Sequence, residues 1–134
     1  MRKNFKRALS ALEEVFLFLD DFAANNDLDP ATILNIRLVV EEMFTNIIKY
    51  STSSQKKITI DISLTGQVLQ LQLIDKDGQP FDPTRSGEYN SKQTLEERPI
   101  GKVGLHLVKN LTDDISYEHK NGQTILTIKK LLKG

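Results

Sequence analysis

The sequence of 134 residues contains no cysteine. Disulfide bonds and cysteine-ligated metal sites are therefore excluded, and this absence is compatible with a reducing cytoplasm. The chain also has no excess of one charge, because 18 Lys and Arg residues balance 18 Asp and Glu residues. Without a basic surplus, the composition gives no support to direct nucleic-acid binding.

A long apolar run is also missing. The apolar stretch of residues 8–22 contains Glu13, Glu14, Asp20 and Asp21. Four charges in this stretch are incompatible with a signal peptide or a membrane span, so we predict a cytoplasmic protein that does not enter the membrane. The length and the absence of repeats and linkers predict a single domain over residues 1–134.

Two familiar catalytic patterns are absent from the chain. The motif G-x-S-x-G of nucleophile elbows does not occur, nor does the Walker motif G-x-x-x-x-G-K-[ST]. A serine hydrolase and a Walker-type nucleotidase are therefore unsupported. His106 and His119 have no acidic or cysteine partner in register, which disfavours a zinc site.

Two segments have apolar residues at helical spacing. Residues 7–24 predict a first helix whose stripe faces the core, with a partner-binding helix as the alternative. A second helix is predicted to begin near Pro30, with Asp29 as its N-cap, and to continue to residue 51. On it Glu42 and Asn46 are four residues apart and are neighbours on consecutive turns. Such a pair can hold a hard cation and orient a hydroxyl, although this helix taken alone favours a solvated polar edge.

The strands are indicated by apolar residues at every second position. Residues 57–64 and 68–75 predict a hairpin around Gly66, and residues 113–119 and 124–131 predict another around Asn121-Gly122. Asp75 falls in phase with the buried leucines of its strand. A buried carboxylate costs several kcal/mol unless it is paired, so a purely structural role is unusual.

The segment between the two hairpins has little apolar content. Residues 84–99 predict a long loop of the kind that forms lids or binding sites, and residues 81–104 are expected to order around nucleotide. The loop ends in Gly101 and Gly104 at the entry to a helix, where free amides favour a phosphate. Two glycines before a helix are a weak signal when taken alone.

The order and spacing of these parts resemble the GHKL superfamily of ATP-binding domains. Within it, the chain is most similar to anti-sigma-factor serine kinases of the RsbW and SpoIIAB type. The matching stretches are residues 39–50 (N box), 79–83 (P-F-D-P), 101–108 (second glycine box) and 121–130 (closing strand). The resemblance implies a Bergerat ATP-binding fold, an α/β two-layer sandwich. Its mixed, mainly antiparallel sheet would be covered on one face by about three helices.

The resemblance also implies roles for individual residues. Asn46 would ligate Mg²⁺ bridging the ATP phosphates, and Glu42 would be the general base. An aspartate of the first glycine box would accept a hydrogen bond from the adenine amino group, with Gly78 admitting the ring and Thr124 touching adenine. The phosphates would be held by the second glycine box, namely Gly101, Lys102, Val103, Gly104, Leu105 and His106.

The chain departs from the family pattern in the first glycine box. The family spaces its aspartate as D-x-G, whereas this chain reads Asp75-Lys76-Asp77-Gly78. Strand phase favours Asp75 with one residue bulged out, and Asp77 is the alternative. Pro80 replaces the usual second glycine. In the second box, Lys102 either adds charge at the phosphates or is a solvated lysine of the lid.

By resemblance, the expected function is that of an ATP- and Mg²⁺-dependent serine/threonine kinase in transcription regulation. Its substrate would be a STAS-type anti-sigma-factor antagonist, and a sigma factor would be a second partner. A non-catalytic ATP-binding partner-switching module and a histidine-kinase-type catalytic domain are the alternatives. The oligomeric state is left open, with a homodimer among the choices.

Overall fold

The computed structural model describes residues 1–50, 56–76 and 108–132. Their order along the chain is strand, two helices and four strands, with a short 3-10 helix at Leu9–Ala11 before the first α-helix. These elements are β1 (Arg2–Phe5), α1 (Leu12–Asn25), α2 (Pro30–Tyr50), β2 (Ile58–Thr65), β3 (Val68–Asp75), β4 (Asp114–Lys120) and β5 (Gln123–Leu131). Residues 108–111 are also helical.

The five strands form one sheet in the order β1-β2-β3-β5-β4. All four pairings are antiparallel, which confirms a mainly antiparallel sheet, and no parallel pair occurs among the described strands. The edge strand β1 was not expected from the sequence. It pairs with β2 from Arg2, opposite Asp61, to Phe5, opposite Ile58.

Both hairpins have two-residue loops. Thr65 pairs with Val68, and Lys120 pairs with Gln123. Gly122 has a φ of 74° and the preceding Asn121 has a φ of 54°. Two successive residues with positive φ match the twist of the flanking strands, which explains why Asn-Gly is the strongest short hairpin signal.

The core lies between the helices and one face of the sheet. The alternating isoleucines of β2 and the leucines of β3 point into it, as the sequence predicts. Most apolar residues predicted for the first helix face the core. Leu9 is the exception, because it lies in the 3-10 helix before α1 and is 56% exposed. The largest fully buried side chains are Phe5, Phe44, Met43, Ile47, Ile58, Ile60, Ile62, Leu73, Leu126, Val15, Val40 and Val108.

The start of α2 is fixed by Asp29. Its carboxylate Oδ1 accepts a hydrogen bond from the backbone N of Thr32 at 2.7 Å, which confirms the predicted N-cap. Hydrogen bonds from the Thr32 side chain and backbone lower the pKa of Asp29 below its ordinary value. The helix therefore begins at Pro30, whose missing N–H is not needed there.

Within the described parts of the chain, no helix is both long enough and apolar enough to cross a membrane.

Replacing Asp29 tests this cap. Asp29→Ala should lower the melting temperature at neutral pH, because the Thr32 amide loses its acceptor. The lowered pKa makes the charge-dependent stabilisation complete above the ordinary aspartate pKa, and it is lost as the pH falls through the folded-state value. Asp29→Asn keeps an acceptor without charge and should lie between the two. Thermal unfolding at neutral and acid pH measures this, and equal melting temperatures for all three would contradict the cap.

Candidate functional site

Asp75 lies at the end of β3 and points into the protein. It stands opposite Ile58 on β2 and Thr124 on β5, and its side chain is 1% exposed. The strand runs from Val68 to Asp75 without a bulge, so the alternation that buries the leucines also buries this carboxylate. The inward position predicted for Asp75 is confirmed.

Arg7 neutralises the buried carboxylate of Asp75. Its Nη1 donates to Asp75 Oδ2 at 3.2 Å and its Nη2 donates to Oδ1, so the contact has two points. The Nε atom of Arg7 donates to the carbonyl oxygen of Lys56 at 3.0 Å. The Arg7 side chain is itself only 3% exposed. Sequence reasoning missed this residue, although the need of a buried carboxylate for a cation was a signal that could have prompted a search.

Thr124 continues the polar row across the sheet. It is directly opposite Asp75 and 2% exposed, and its Oγ1 lies 3.1 Å from Nδ1 of His119 on β4. Arg7, Asp75, Thr124 and His119 therefore lie along the same end of the sheet. Two of the residues predicted to contact adenine, Asp75 and Thr124, are brought together by the register of β3 and β5.

Asn46 lies on the buried side of α2. It is 3% exposed, and its Nδ2 has no hydrogen-bond partner among the described residues. A solvated polar edge is therefore wrong as a description of Asn46. A buried amide donor without a partner costs about 1–3 kcal/mol, so its retention calls for an explanation other than stability.

Glu42 lies one turn before Asn46 and is half-buried. Burial raises the pKa of its carboxyl above the ordinary glutamate value, and the neighbouring Glu41 adds to the effect. Lys49 and the Asn46 side chain act in the opposite direction. A raised carboxyl pKa is suited to a general base, whose proton affinity is best placed near the working pH.

The other predicted site residues lie outside the described part of the chain. They are Asp77, Gly78, Gly101, Lys102, Val103, Gly104, Leu105 and His106, together with the predicted lid of residues 81–104. The choice between Asp75 and Asp77 depends on how the chain runs from Asp75 to Gly78. Asp77 and Gly78 lie outside the described residues, so this choice stays open.

The described residues fit a nucleotide with its magnesium ion. They contain no group of three or more His, Cys, Asp or Glu side chains that could hold a metal by themselves. Magnesium, however, is commonly held by the phosphates of its substrate and only one or two protein ligands. An amide such as that of Asn46 offers an oxygen to the cation and N–H donors to a phosphate oxygen.

Comparison with known proteins shows the family of the chain. A model of the histidine kinase-like ATPase domain matches residues 5–130. The chain belongs to this family. Membership confirms the resemblance to GHKL-type ATP-binding domains and implies ATP as the ligand.

Curated relatives include serine-protein kinases named RsbW. The protein from Bacillus cereus strain B4264 is 29% identical over 102 residues, which are 72% of this chain and 63% of that relative. The protein from Bacillus mycoides strain KBAB4 is 28% identical over 100 residues, which are 71% of this chain and 62% of that relative. The match thus spans less than two thirds of these relatives.

Solved structures confirm the fold. The RsbU and RsbW domains of a Mycobacterium tuberculosis protein match with a TM-score of 0.71 and 18% identity, covering 98% of this chain and 32% of that one. The SiaB–SiaC complex of Pseudomonas aeruginosa matches with a TM-score of 0.67 and 16% identity, covering 98% and 88%.

The raised pKa of Glu42 predicts a stability gain in Glu42→Gln. The folded chain binds the Glu42 proton more tightly than the unfolded chain, so the contribution of Glu42 to stability is fully present below the unfolded-state pKa. It is lost as the pH rises through the folded-state pKa. Glu42→Gln should therefore be more stable than wild type at neutral pH, with the difference changing in favour of wild type on acidification.

Urea denaturation at several pH values measures this difference. Glu41→Gln is the matched control, because Glu41 is adjacent and exposed, and it should show a smaller pH-dependent change. If the wild type were more stable than Glu42→Gln at neutral pH, the raised pKa of Glu42 would be contradicted.

Proposed function

We propose that this chain is an ATP- and Mg²⁺-dependent protein kinase that phosphorylates a serine or threonine of a small regulatory protein. The observation that carries the proposal is the pair on α2, in which Glu42 has a raised pKa one turn from the buried Asn46, whose amide nitrogen Nδ2 has no hydrogen-bond partner among the described residues. Membership of an ATPase-domain family and relatives named serine-protein kinases support it.

In this proposal Asn46 positions the phosphates and Glu42 accepts the proton of the substrate hydroxyl. Bound ATP would supply the γ-phosphoryl group, and Mg²⁺ would offset the charge of the phosphates. Asn46 would bind the metal through its amide oxygen. Glu42 would accept the substrate hydroxyl proton while that hydroxyl oxygen forms a bond to the γ-phosphorus and the bond to the β–γ bridging oxygen breaks, releasing ADP.

The base would be recognised at the end of the sheet. Asp75 would accept a hydrogen bond from the adenine amino group, and Thr124 would contact the ring beside it. Asp77 remains the alternative to Asp75. Gly78 would admit the ring, and the backbone of residues 101–106 would hold the phosphates together with Lys102.

The proposed protein substrate is a STAS-type anti-sigma-factor antagonist, and the proposed second partner is a sigma factor. Among the solved structures, SiaB was crystallised with SiaC, and an RsbW domain occurs in one structure with an RsbU domain. These assemblies are properties of those proteins and support a regulatory partner here. A role in transcription regulation, in the cytoplasm and as a single domain over residues 1–134, belongs to the same proposal.

Substitution of Asn46 tests the nucleotide site. Asn46→Ala should weaken Mg²⁺-dependent ATP binding by about 10–100-fold, the usual effect of losing a metal-site contact. Asn46→Leu should lose ATP binding as well, yet melt no lower than wild type without nucleotide, because it removes the unpaired buried amide. Calorimetry and thermal unfolding measure both properties.

Asn35→Ala is the matched control for Asn46, because Asn35 is another asparagine of α2 that lies about three turns earlier. It should bind ATP like wild type. Wild-type affinity in both Asn46 variants would remove Asn46 from the nucleotide site.

Substitution of Glu42 separates catalysis from binding. Glu42→Gln keeps the size of the side chain but cannot take a proton, so phosphoryl transfer should slow by about 10²–10⁴-fold while ATP affinity stays near that of wild type. Labelled ATP with STAS-domain proteins encoded beside this chain measures the rate, and analysis of the phosphorylated residue identifies the acceptor.

Three outcomes would contradict parts of the proposal. An unchanged rate in Glu42→Gln would mean that Glu42 is not the base. ATP binding without any transfer by wild type would favour a non-catalytic partner-switching module. Label on a histidine would favour a histidine-kinase-type catalytic domain.

A further inference from the structure

Two arginines near the start of the chain form ion pairs in opposite surroundings. Arg2 pairs with Asp61 at 3.0 Å on the surface, where the two side chains are 62% and 30% exposed. Arg7 pairs with Asp75 in the interior, where they are 3% and 1% exposed. Exposed pairs contribute little, whereas the removal of one partner of a buried pair leaves an uncompensated charge.

The Arg7–Asp75 contact also fixes a direction. A guanidinium is a rigid planar fork, and two parallel hydrogen bonds hold a carboxylate in the plane of that fork. The third hydrogen bond, from Arg7 Nε to the carbonyl oxygen of Lys56, holds the guanidinium itself against the segment that leads into β2. The carboxylate of Asp75 is thus held both by its strand and by Arg7, 68 residues away along the chain.

This arrangement is compatible with a further hydrogen bond to Asp75. A carboxylate has about four lone-pair sites, and the two-point contact with arginine accounts for two of them. Hydrogen bonds weaken steeply when the donor is misaligned, so an acceptor that can rotate discriminates poorly. Asp75 can therefore select an amino group only if the plane of its carboxylate is fixed.

We infer that Arg7 is a positioning residue of the nucleotide site, which holds the Asp75 carboxylate in the orientation that selects adenine over guanine. The inference rests on the proposed function and extends it to the N-terminal segment. Adenine presents an amino group where guanine presents a carbonyl oxygen, and a fixed carboxylate accepts from the first and repels the second. Without Arg7 the carboxylate would lose the buried cation and the two-point contact that set the plane of its oxygens.

Calorimetry with ATP and GTP on the full chain tests this role. Arg7→Met should bind ATP about tenfold more weakly, or about 1.4 kcal/mol, with little change for GTP, so that the ATP preference falls. Arg7→Lys keeps the charge but not the fork, so it should recover the melting temperature while recovering only part of the preference. Arg2→Met, the matched control on the exposed pair, should behave like wild type.

Asp75→Asn and Asp77→Asn distinguish this inference from the proposed site. If Asp75→Asn loses the ATP preference while Arg7→Met and Arg7→Lys keep it, the role of Arg7 is overturned and the site stands. A higher ATP affinity in Arg7→Met would also overturn it, because Arg7 would then compete with the base. If wild type does not bind ATP, or if Asp77→Asn alone changes the preference, the assignment of Asp75 fails and the inference fails with it.

If Arg7→Met folds poorly, the double variant Arg7→Met with Asp75→Asn replaces it, because the double variant leaves no buried charge without its partner. A residue that acts only through Asp75 has nothing left to position in this background. The double variant should therefore have the same ATP-to-GTP affinity ratio as Asp75→Asn alone. A ratio that differs between them would show that Arg7 acts by another route and would overturn the inference.

Discussion

The candidate site depends on how one carboxylate is kept inside the protein. Asp75 is carried inward by the alternation of β3, the same alternation that builds the core, and it ends the strand with a charge. A buried charge without a partner is too costly to retain, so the fold has to bring a cation to that place. Arg7 is that cation, and its position requires β1 to pair with β2 in the observed register.

Helix α2 combines two requirements that conflict. One face is fully buried and includes Val40, Met43 and Phe44, which fixes the helix against the sheet. The same helix carries Asn46, whose amide nitrogen Nδ2 has no hydrogen-bond partner among the described residues. The apolar contacts of this helix are strong enough to tolerate that unpaired group. In the proposed function, stability and ligand binding would therefore place different demands on side chains only one turn apart.

The sequence predicted the elements whose signals are local. The Asn121-Gly122 turn, the alternation in β2 and β3 and the Asp29 cap depend on residues next to one another, and each is present. β1 could not be predicted, because only Phe5 among its four residues is buried and four residues show little periodicity. The partner of Asp75 was also beyond reach, since it lies 68 residues away and no local pattern connects the two.

The two carboxylates of the candidate site show how the surroundings assign different chemistry to similar groups. Asp75 faces a buried guanidinium that offsets its charge and fixes its plane, which suits a permanent hydrogen-bond acceptor. Glu42 is in neither of the two ion pairs found in the described part of the chain, and burial raises its pKa. A carboxylate left without a direct cation is the one that readily gains a proton. In the proposed function, base recognition by Asp75 and proton transfer by Glu42 would thus be separated, because Arg7 pairs with the first carboxylate and no described residue forms a comparable pair with the second.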